Sequence, residues 1–333
     1  MNSVSPVPRT ARAYPNIALI KYWGKRDELL HLPTTSSLSM TLDIFPTTTT
    51  VTVCDREFDE VILGDEPAPT DFAGKVSRFL DLVRDRAHDT RHAYVHTCNT
   101  VPLGAGLASS AAGFAALTVA ATAAYGLDLK EPALTRLARR GSGSASRSIC
   151  GGFAQWHRGE GDGTAGDESS FAETLDATRL NVALVVAVVS AREKPISSRA
   201  AMRRTMETSP FYLPWVKSSA EDLYRMRKAI YAGDLPVVGE VAERNALGMH
   251  ATMLGARPAV RYFAPGSMQV LDRVLGLRDE GVPAYATMDA GPNVKVLCDR
   301  SDSSRVAADL AEIVGTEQVL VAHPGPAATL ETA

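Results

Sequence analysis

A mixed chain of strands and helices in two domains is what this sequence predicts, on three observations. Its 333 residues exceed the size that a single hydrophobic core usually serves. Stretches of period-two alternation and stretches of helical spacing follow one another along the chain. Midway, residues 158–170 place Gly159, Gly161, Gly163 and Gly166 among acidic residues and read as a solvent loop, after which a new buried strand starts at Asn181. The expected division is residues 1–180, residues 181–322, and a Pro-, Gly- and Ala-rich tail over 323–333 that is expected to be disordered.

The first expected strand, Ile17 to Ile20, runs into Lys21-Tyr22-Trp23-Gly24-Lys25. Two lysines around an aromatic pair and a glycine suit an anion, and equally suit a strand edge with snorkelling lysines. A hydroxyl-rich loop (32–39) and a β-branched run (41–53) follow; the threonines Thr47 to Thr50 read as strand formers. Over 71–86, Phe72, Val76, Phe79, Leu80 and Val83 fall at helical spacing with charges between them.

Residues 93–97 alternate as a strand and lead into V-P-L-G-A-G-L-A-S-S-A-A-G, then a long small-residue helix. Gly104, Ala105, Gly106, Leu107 and Ala108 thus form a loop ahead of Ser109 and Ser110 at a helix N-terminus. Free backbone N–H groups and the positive end of a helix dipole suit a phosphate chain there. The loop is neither a Rossmann fingerprint, which wants Gly or Ala where Ser109 stands, nor a Walker loop, which wants Gly-Lys-Ser/Thr.

A helix over 131–140 precedes G-S-G-S-A-S-R-S, whose serines, glycines and Arg147 suit phosphate or carboxylate oxygens as well as a plain linker. A strand over 152–156 pins this loop at its far end. In the second half, 181–190 is a buried strand, and Ser197 or Ser198 is an N-cap for a helix starting near Arg199. Residues 220–232 and 235–254 are helices, with Met249 and Met253 as core. Residues 285–299 form strand, tight turn and strand, with Asp289 at the turn.

A net charge of −3 with only short basic runs argues against a nucleic-acid surface. Cys54, Cys98, Cys150 and Cys298 are scattered, which indicates neither a zinc site nor a disulfide framework and points to a reducing, cytoplasmic setting. The N-terminal residues lack the apolar core of a signal peptide, and the longest apolar runs are too short or too alanine-rich to span a bilayer.

In order along the chain stand N-I-A-L-I-K-Y-W-G-K-R-D, L-P-x-x-S-S-L-S, A-G-L-A-S-S-A-A-G, R-G-S-G-S-A-x-R-S, E-K-P-x-S-S, T-S-P-F-Y and D-A-G-P-N-V-K-V. This ordered set resembles the diphosphomevalonate decarboxylases of the GHMP kinase superfamily from about Ala13 to Cys298. The resemblance implies a two-domain α+β GHMP kinase fold: an N-terminal nucleotide-binding domain like the second domain of ribosomal protein S5, a ferredoxin-like C-terminal domain, and an active site in the cleft. It implies that ATP phosphorylates the 3-hydroxyl of mevalonate 5-diphosphate, and that loss of that phosphate and of CO2 yields isopentenyl diphosphate. The relatives are commonly homodimers, and neither a nucleic acid nor a membrane is an implied partner.

By the same resemblance, Asp289 takes or orients the hydroxyl proton, Lys21 lies beside it with Asn16 close by, and Arg147 grips the carboxylate. Tyr22, Trp23, Gly24, Lys25, Lys75, Ser142, Gly143, Ser144, Ala145, Ser146, Ser197 and Ser198 are implied on the substrate side. Asn99 and the loop from Gly104 to Ser110 are implied for ATP. Mg²⁺ is expected to come with ATP, near Ser110, rather than on a protein cluster. Ser146 stands where many relatives carry Cys, Leu103-Gly104 where they carry Thr-Ala, and Arg199 where they often carry a small hydroxyl residue. A relative acting on mevalonate 5-phosphate, one that phosphorylates without decarboxylating, and a non-catalytic ATP binder are the competing possibilities.

Overall fold

The computed structural model describes residues 7–101, 109–192, 194 and 196–331. The glycine-loop residues Gly104, Ala105, Gly106, Leu107 and Ala108 lie outside them.

The fold is α+β, built on three main sheets. A six-stranded sheet runs in the order Thr329–Leu330, Arg9–Ala13, Thr47–Cys54, His92–Asn99, Glu60–Leu63, Glu66–Pro67, and Glu60–Leu63 pairs in parallel with His92–Asn99. Its threonine-rich strand alternates buried and half-exposed residues, as a sheet with one covered face requires. Three helices share its core: Thr70–Ala87 contributes Phe79 and Leu80, Ser109–Ala124 contributes Phe114 and Ala116, and Glu131–Gly141 contributes Leu137. The small side chains of Ser109–Ala124 bring that helix close to the strands, and Phe114 meets Phe79 edge-on with ring centroids 5.7 Å apart.

A second sheet orders Ala172–Leu175, Phe153–Trp156, Ser37–Thr41 and Asn16–Ile20; a third orders Ala284–Met288, Val294–Asp299, Val182–Ala187 and Val319–Ala322. Both are wholly antiparallel. The helix Leu235–Leu254 packs on both, against Asn16–Ile20 on one side and Ala284–Met288 on the other. Leu235, Val238 and Val241 therefore share one core with Ile17 and Leu19 of the second sheet and with Leu184, Val186 and Leu297 of the third. Apolar burial is continuous across the two halves of the chain, which holds their strand ends in fixed relation.

Three expectations change. Part of the hydroxyl-rich loop is the strand Ser37–Thr41: Leu38 and Met40 face the core, while buried Thr41 donates its hydroxyl to the carbonyl of Cys150 at 2.9 Å. The solvent loop contains the helix Gly163–Ser169, whose Asp167 pairs with the fully buried Arg139 and with Arg136. The tail, expected to be disordered, is ordered through residue 331. Thr329–Leu330 adds a strand beside Arg9–Ala13, and Gly325 pairs by backbone with Thr41 and Gly152. A Cβ at Gly325 would sit 2.0 Å from the Leu42 carbonyl oxygen, so the glycine that reads as a flexibility signal is what permits this close backbone approach.

Candidate active site

The strand Asn16–Ile20 is buried throughout, with Ile17 and Leu19 in the core and Asn16 and Ala18 on a cavity wall. Where it ends, the backbone N–H of Lys21 donates to Asn245 Oδ1 at 2.8 Å. Five residues further along the same helix, His250 Nε2 lies 3.1 Å from the carbonyl oxygen of Asp289, just past the strand Ala284–Met288. One helix thus carries both strand ends. Lys21 and Asp289, 268 residues apart, meet with Nζ donating to Oδ1 at 2.8 Å. A second lysine, Lys295, reaches Asp289 Oδ2 at 3.2 Å.

Electrostatics follow from this packing. Burial pulls the Lys21 ammonium down to about 8, against the opposing pull of Asp289. Burial alone would raise the Asp289 carboxyl; Lys21 and Lys295 outweigh it and hold the group well below the usual carboxylate range. Burial, and then Lys21, lower His250 to about 4, so its ring is neutral at neutral pH and the carbonyl partner requires the proton on Nε2.

Arg147 is 2% exposed. Its Nε and Nη2 donate to Asn16 Oδ1 at 3.3 and 3.2 Å, and its Nη1 to Ser37 Oγ at 2.6 Å. The Asn16 amide is itself fixed, donating to Ser148 Oγ at 2.7 Å and to the Ser144 carbonyl at 3.1 Å. The guanidinium carbon lies 5.9 Å from the Trp156 ring centroid. Burial lowers this arginine to about 10, leaving it charged at neutral pH.

Asn16, Lys21, Arg147 and Asp289 share a cavity of about 440 Å³, whose wall also includes Lys194 and the pair Ser109–Ser110. Ser109 and Ser110 also line a second cavity of about 410 Å³ with Thr47, Asn99 and the apolar Phe72, Val95 and Phe114. The first turn of the small-residue helix is therefore common to a polar, cation-lined cavity and a largely apolar one. Among the described residues no group of three or more His, Cys, Asp or Glu stands ready for a metal ion.

The expected substrate-side residues divide. Tyr22, Trp23, Ser144 and Ser198 join the polar cavity. Gly143 packs beneath Tyr22, since a Cβ there would lie 3.0 Å from that ring and its hydroxyl. Ser142 caps the preceding helix, Ser146 donates to the Gly143 carbonyl at 2.9 Å, and Ala145 belongs to the core; these shape the loop rather than line the cavity. Ser197 is the N-cap of Ser198–Thr208, accepting from the N–H of Ala200 at 3.2 Å. Lys25 pairs with Glu28 at 2.9 Å. Lys75, expected near the diphosphate, is exposed on Thr70–Ala87 and is not among the residues that line either cavity.

Two family models match the chain: the diphosphomevalonate decarboxylase-like N-terminal domain over residues 13–172 and the mevalonate 5-diphosphate decarboxylase C-terminal domain over 184–325. The diphosphomevalonate decarboxylase of Candida albicans is 34% identical over 308 residues, covering 87% of this chain and 84% of its own length. The chain belongs to the diphosphomevalonate decarboxylase family. A solved mevalonate diphosphate decarboxylase from Enterococcus faecalis, described by its mevalonate diphosphate-mediated ATP binding, superposes with a TM-score of 0.92 at 45% identity, covering 99% of this chain and 100% of that one. A structure of MDDEF in complex with MVAPP, AMPPCP and magnesium has a TM-score of 0.92 at 46% identity with the same coverage.

For a diphosphomevalonate decarboxylase, reading the sequence missed Lys194, Lys295 and His250. Lys194 lines the polar cavity 3.4 Å from Ser198 Oγ, and burial lowers its pKa. A usable signal existed for Lys295, a lone cation inside the apolar run V-K-V-L-C. None existed for His250, whose role depends on a partner 39 residues away.

Gly24 carries a positive φ of 125°, and a Cβ there would fall 1.8 Å from the Tyr212 hydroxyl, which donates to the Trp23 carbonyl at 3.0 Å. Gly24→Ala is expected to cost about 2–4 kcal/mol from overpacking and left-handed strain together. Thermal unfolding checks this, and a midpoint equal to wild type would show that the turn relaxes freely.

Proposed function

We propose that this chain catalyses the ATP-dependent decarboxylation of mevalonate 5-diphosphate to isopentenyl diphosphate, releasing ADP, phosphate and CO2. The observation that carries this reading is the Lys21–Asp289 pair facing one cavity with the fork of Arg147 and with the first turn of Ser109–Ala124. The substrate has a carboxylate at one end and a diphosphate at the other. It needs one planar grip and one set of point charges and amides, and arginine and lysine divide that work.

In this reading the adenine ring occupies the apolar cavity between Phe72, Val95 and Phe114, with Asn99 at its edge and the phosphates across Ser109 and Ser110. The chain offers no carboxylate cage for Mg²⁺ among its described residues, so the ion would come with the nucleotide phosphates, with Ser110 as the nearby protein hydroxyl. When bound, it neutralises phosphate charge. Asp289 accepts the hydrogen of the 3-hydroxyl and aims its oxygen at the γ-phosphorus. Lys21 supplies positive charge beside the same oxygen. The 3-phosphate then leaves with the C–O electron pair, and the electrons of the C–CO2⁻ bond form the new double bond. Arg147 holds the carboxylate until it departs as CO2, and Asn16 and Ser37 hold Arg147. Tyr22, Trp23, Gly24, Lys25, the 142–146 loop and Ser198 frame the diphosphate.

We assign the nucleotide to the domain before about residue 180 and Asp289 to the domain after it. The chain is assigned to the cytoplasm as a homodimer, in keeping with the resemblance. Purified protein with Mg-ATP and mevalonate 5-diphosphate is expected to release ADP and CO2 in equal amounts. ADP alone would make it a kinase, and neither product would overturn the reading.

A further inference from the structure

Lys295 is the second residue of Val294–Asp299, a strand buried from Val294 to Cys298, opposite Val186 on one neighbour and Thr287 on the other. Strand alternation places Val294, Val296 and Cys298 in one core, and turns Lys295 and Leu297 to the opposite face, that of Leu235–Leu254. At 2% exposure this ammonium has lost most of its water. Burying a charge is costly, and pairing it with Asp289 and donating to the Asn293 carbonyl at 3.4 Å at best offsets that cost. Stability is therefore a weak reason for a lysine here, which leaves room for a functional one.

Its partner supplies one. Asp289 is tethered four ways: its carbonyl accepts from the N–H of Gly291 at 2.8 Å and from His250 Nε2 at 3.1 Å, and its two carboxylate oxygens meet Lys21 and Lys295. Lys21 alone would leave the carboxylate free to turn about its outer torsion. A second cation on the other oxygen removes that freedom, and about a third of the side chain still faces the cavity.

We propose that Lys295 is a positioning residue for the reaction, holding Oδ2 of Asp289 while Lys21 holds Oδ1, so that the carboxylate stays ionised and in one orientation as acceptor of the substrate's 3-hydroxyl. The inference rests on the decarboxylase reading above. Among the described residues, the charged and titratable groups around this carboxylate are Lys21, Arg147, Lys194, His250 and Lys295. Lys295 also bears on Lys21: together with burial its charge lowers the Lys21 ammonium, which Asp289 raises. Removing Lys295 therefore lets Lys21 keep its proton to higher pH.

The test compares wild type, Lys295→Met and Lys295→Arg. Wild type must first form ADP and CO2; failure at this step strikes the decarboxylase reading and not the role of Lys295. Given that activity, Lys295→Met is expected to stay folded, with a midpoint lowered by the loss of one cation from a buried pair, and to lose about tenfold or more in kcat, as misaimed reacting groups do. The KM for mevalonate 5-diphosphate should stay within about threefold, and the alkaline limb of kcat/KM, near pH 8 in wild type, should move upward. Lys295→Arg, which keeps the charge, should recover part of kcat and return the limb toward wild type. A folded Lys295→Met with kcat within threefold of wild type overturns the proposal, as does a loss of kcat with an unmoved limb. Unfolding of both variants would assign Lys295 to the scaffold and overturn it as well.

Discussion

Asp289→Asn is expected to lower turnover at least about 100-fold while leaving ATP affinity nearly unchanged, because general-base assistance is typically worth about 10²–10⁴-fold. The amide keeps the shape of the side chain but removes the negative charge between Lys21 and Lys295, which approach it at 2.8 and 3.2 Å. Two buried ammonium groups then lose this anion. Since Asp289 raises Lys21 against burial, with a balance at about 8, loss of the carboxylate drives Lys21 further down. The alkaline limb should consequently move downward, opposite to the movement expected for Lys295→Met. Turnover followed by ADP and CO2 release, alongside equilibrium titration of a nucleotide analogue, provides the check. Near-normal turnover would remove Asp289 from its assigned role.

Arg147→Lys is expected to raise the KM for mevalonate 5-diphosphate about tenfold or more, the scale of one lost charge-assisted hydrogen bond, with the KM for ATP little altered. In the arginine, three nitrogens divide between Asn16 and Ser37, and that division sets the plane of the fork. A lysine ammonium is a point charge on a flexible stem and cannot satisfy both partners while facing a planar carboxylate. Steady-state kinetics with each substrate varied in turn would show the effect. An unchanged KM for mevalonate 5-diphosphate would place the carboxylate grip elsewhere.

Much of the site was legible because its parts are local. The helix Ser109–Ala124 follows the strand His92–Asn99 where the small-residue run begins, and the turn bearing Asp289 separates Ala284–Met288 from Val294–Asp299. Each rests on a short-range pattern: period-two alternation, a glycine or proline break, a serine cap. The same locality misled at three places. Ser37 and Ser39 read as loop although they lie in a buried strand where Ser37 accepts from Arg147, and the glycines of the 158–170 stretch read as solvent although Asp167 there pairs with buried Arg139. The glycine of the tail read as fraying when it serves close backbone approach.

By itself the sequence determined the order of elements, the ordered motifs that mark the family, and the types of charge the chemistry would use. Only the tertiary structure decided which charges meet. Lys21 and Asp289 lie at the ends of strands in different sheets, and they face each other because Leu235–Leu254 packs on both strands and anchors one end through Asn245 and the other through His250. No local pattern encodes that meeting, since it depends on apolar burial between segments more than 200 residues apart. Lys295 is the clearest case. In the sequence it is one lysine in an apolar strand; in the fold it is the second cation on the Asp289 carboxylate.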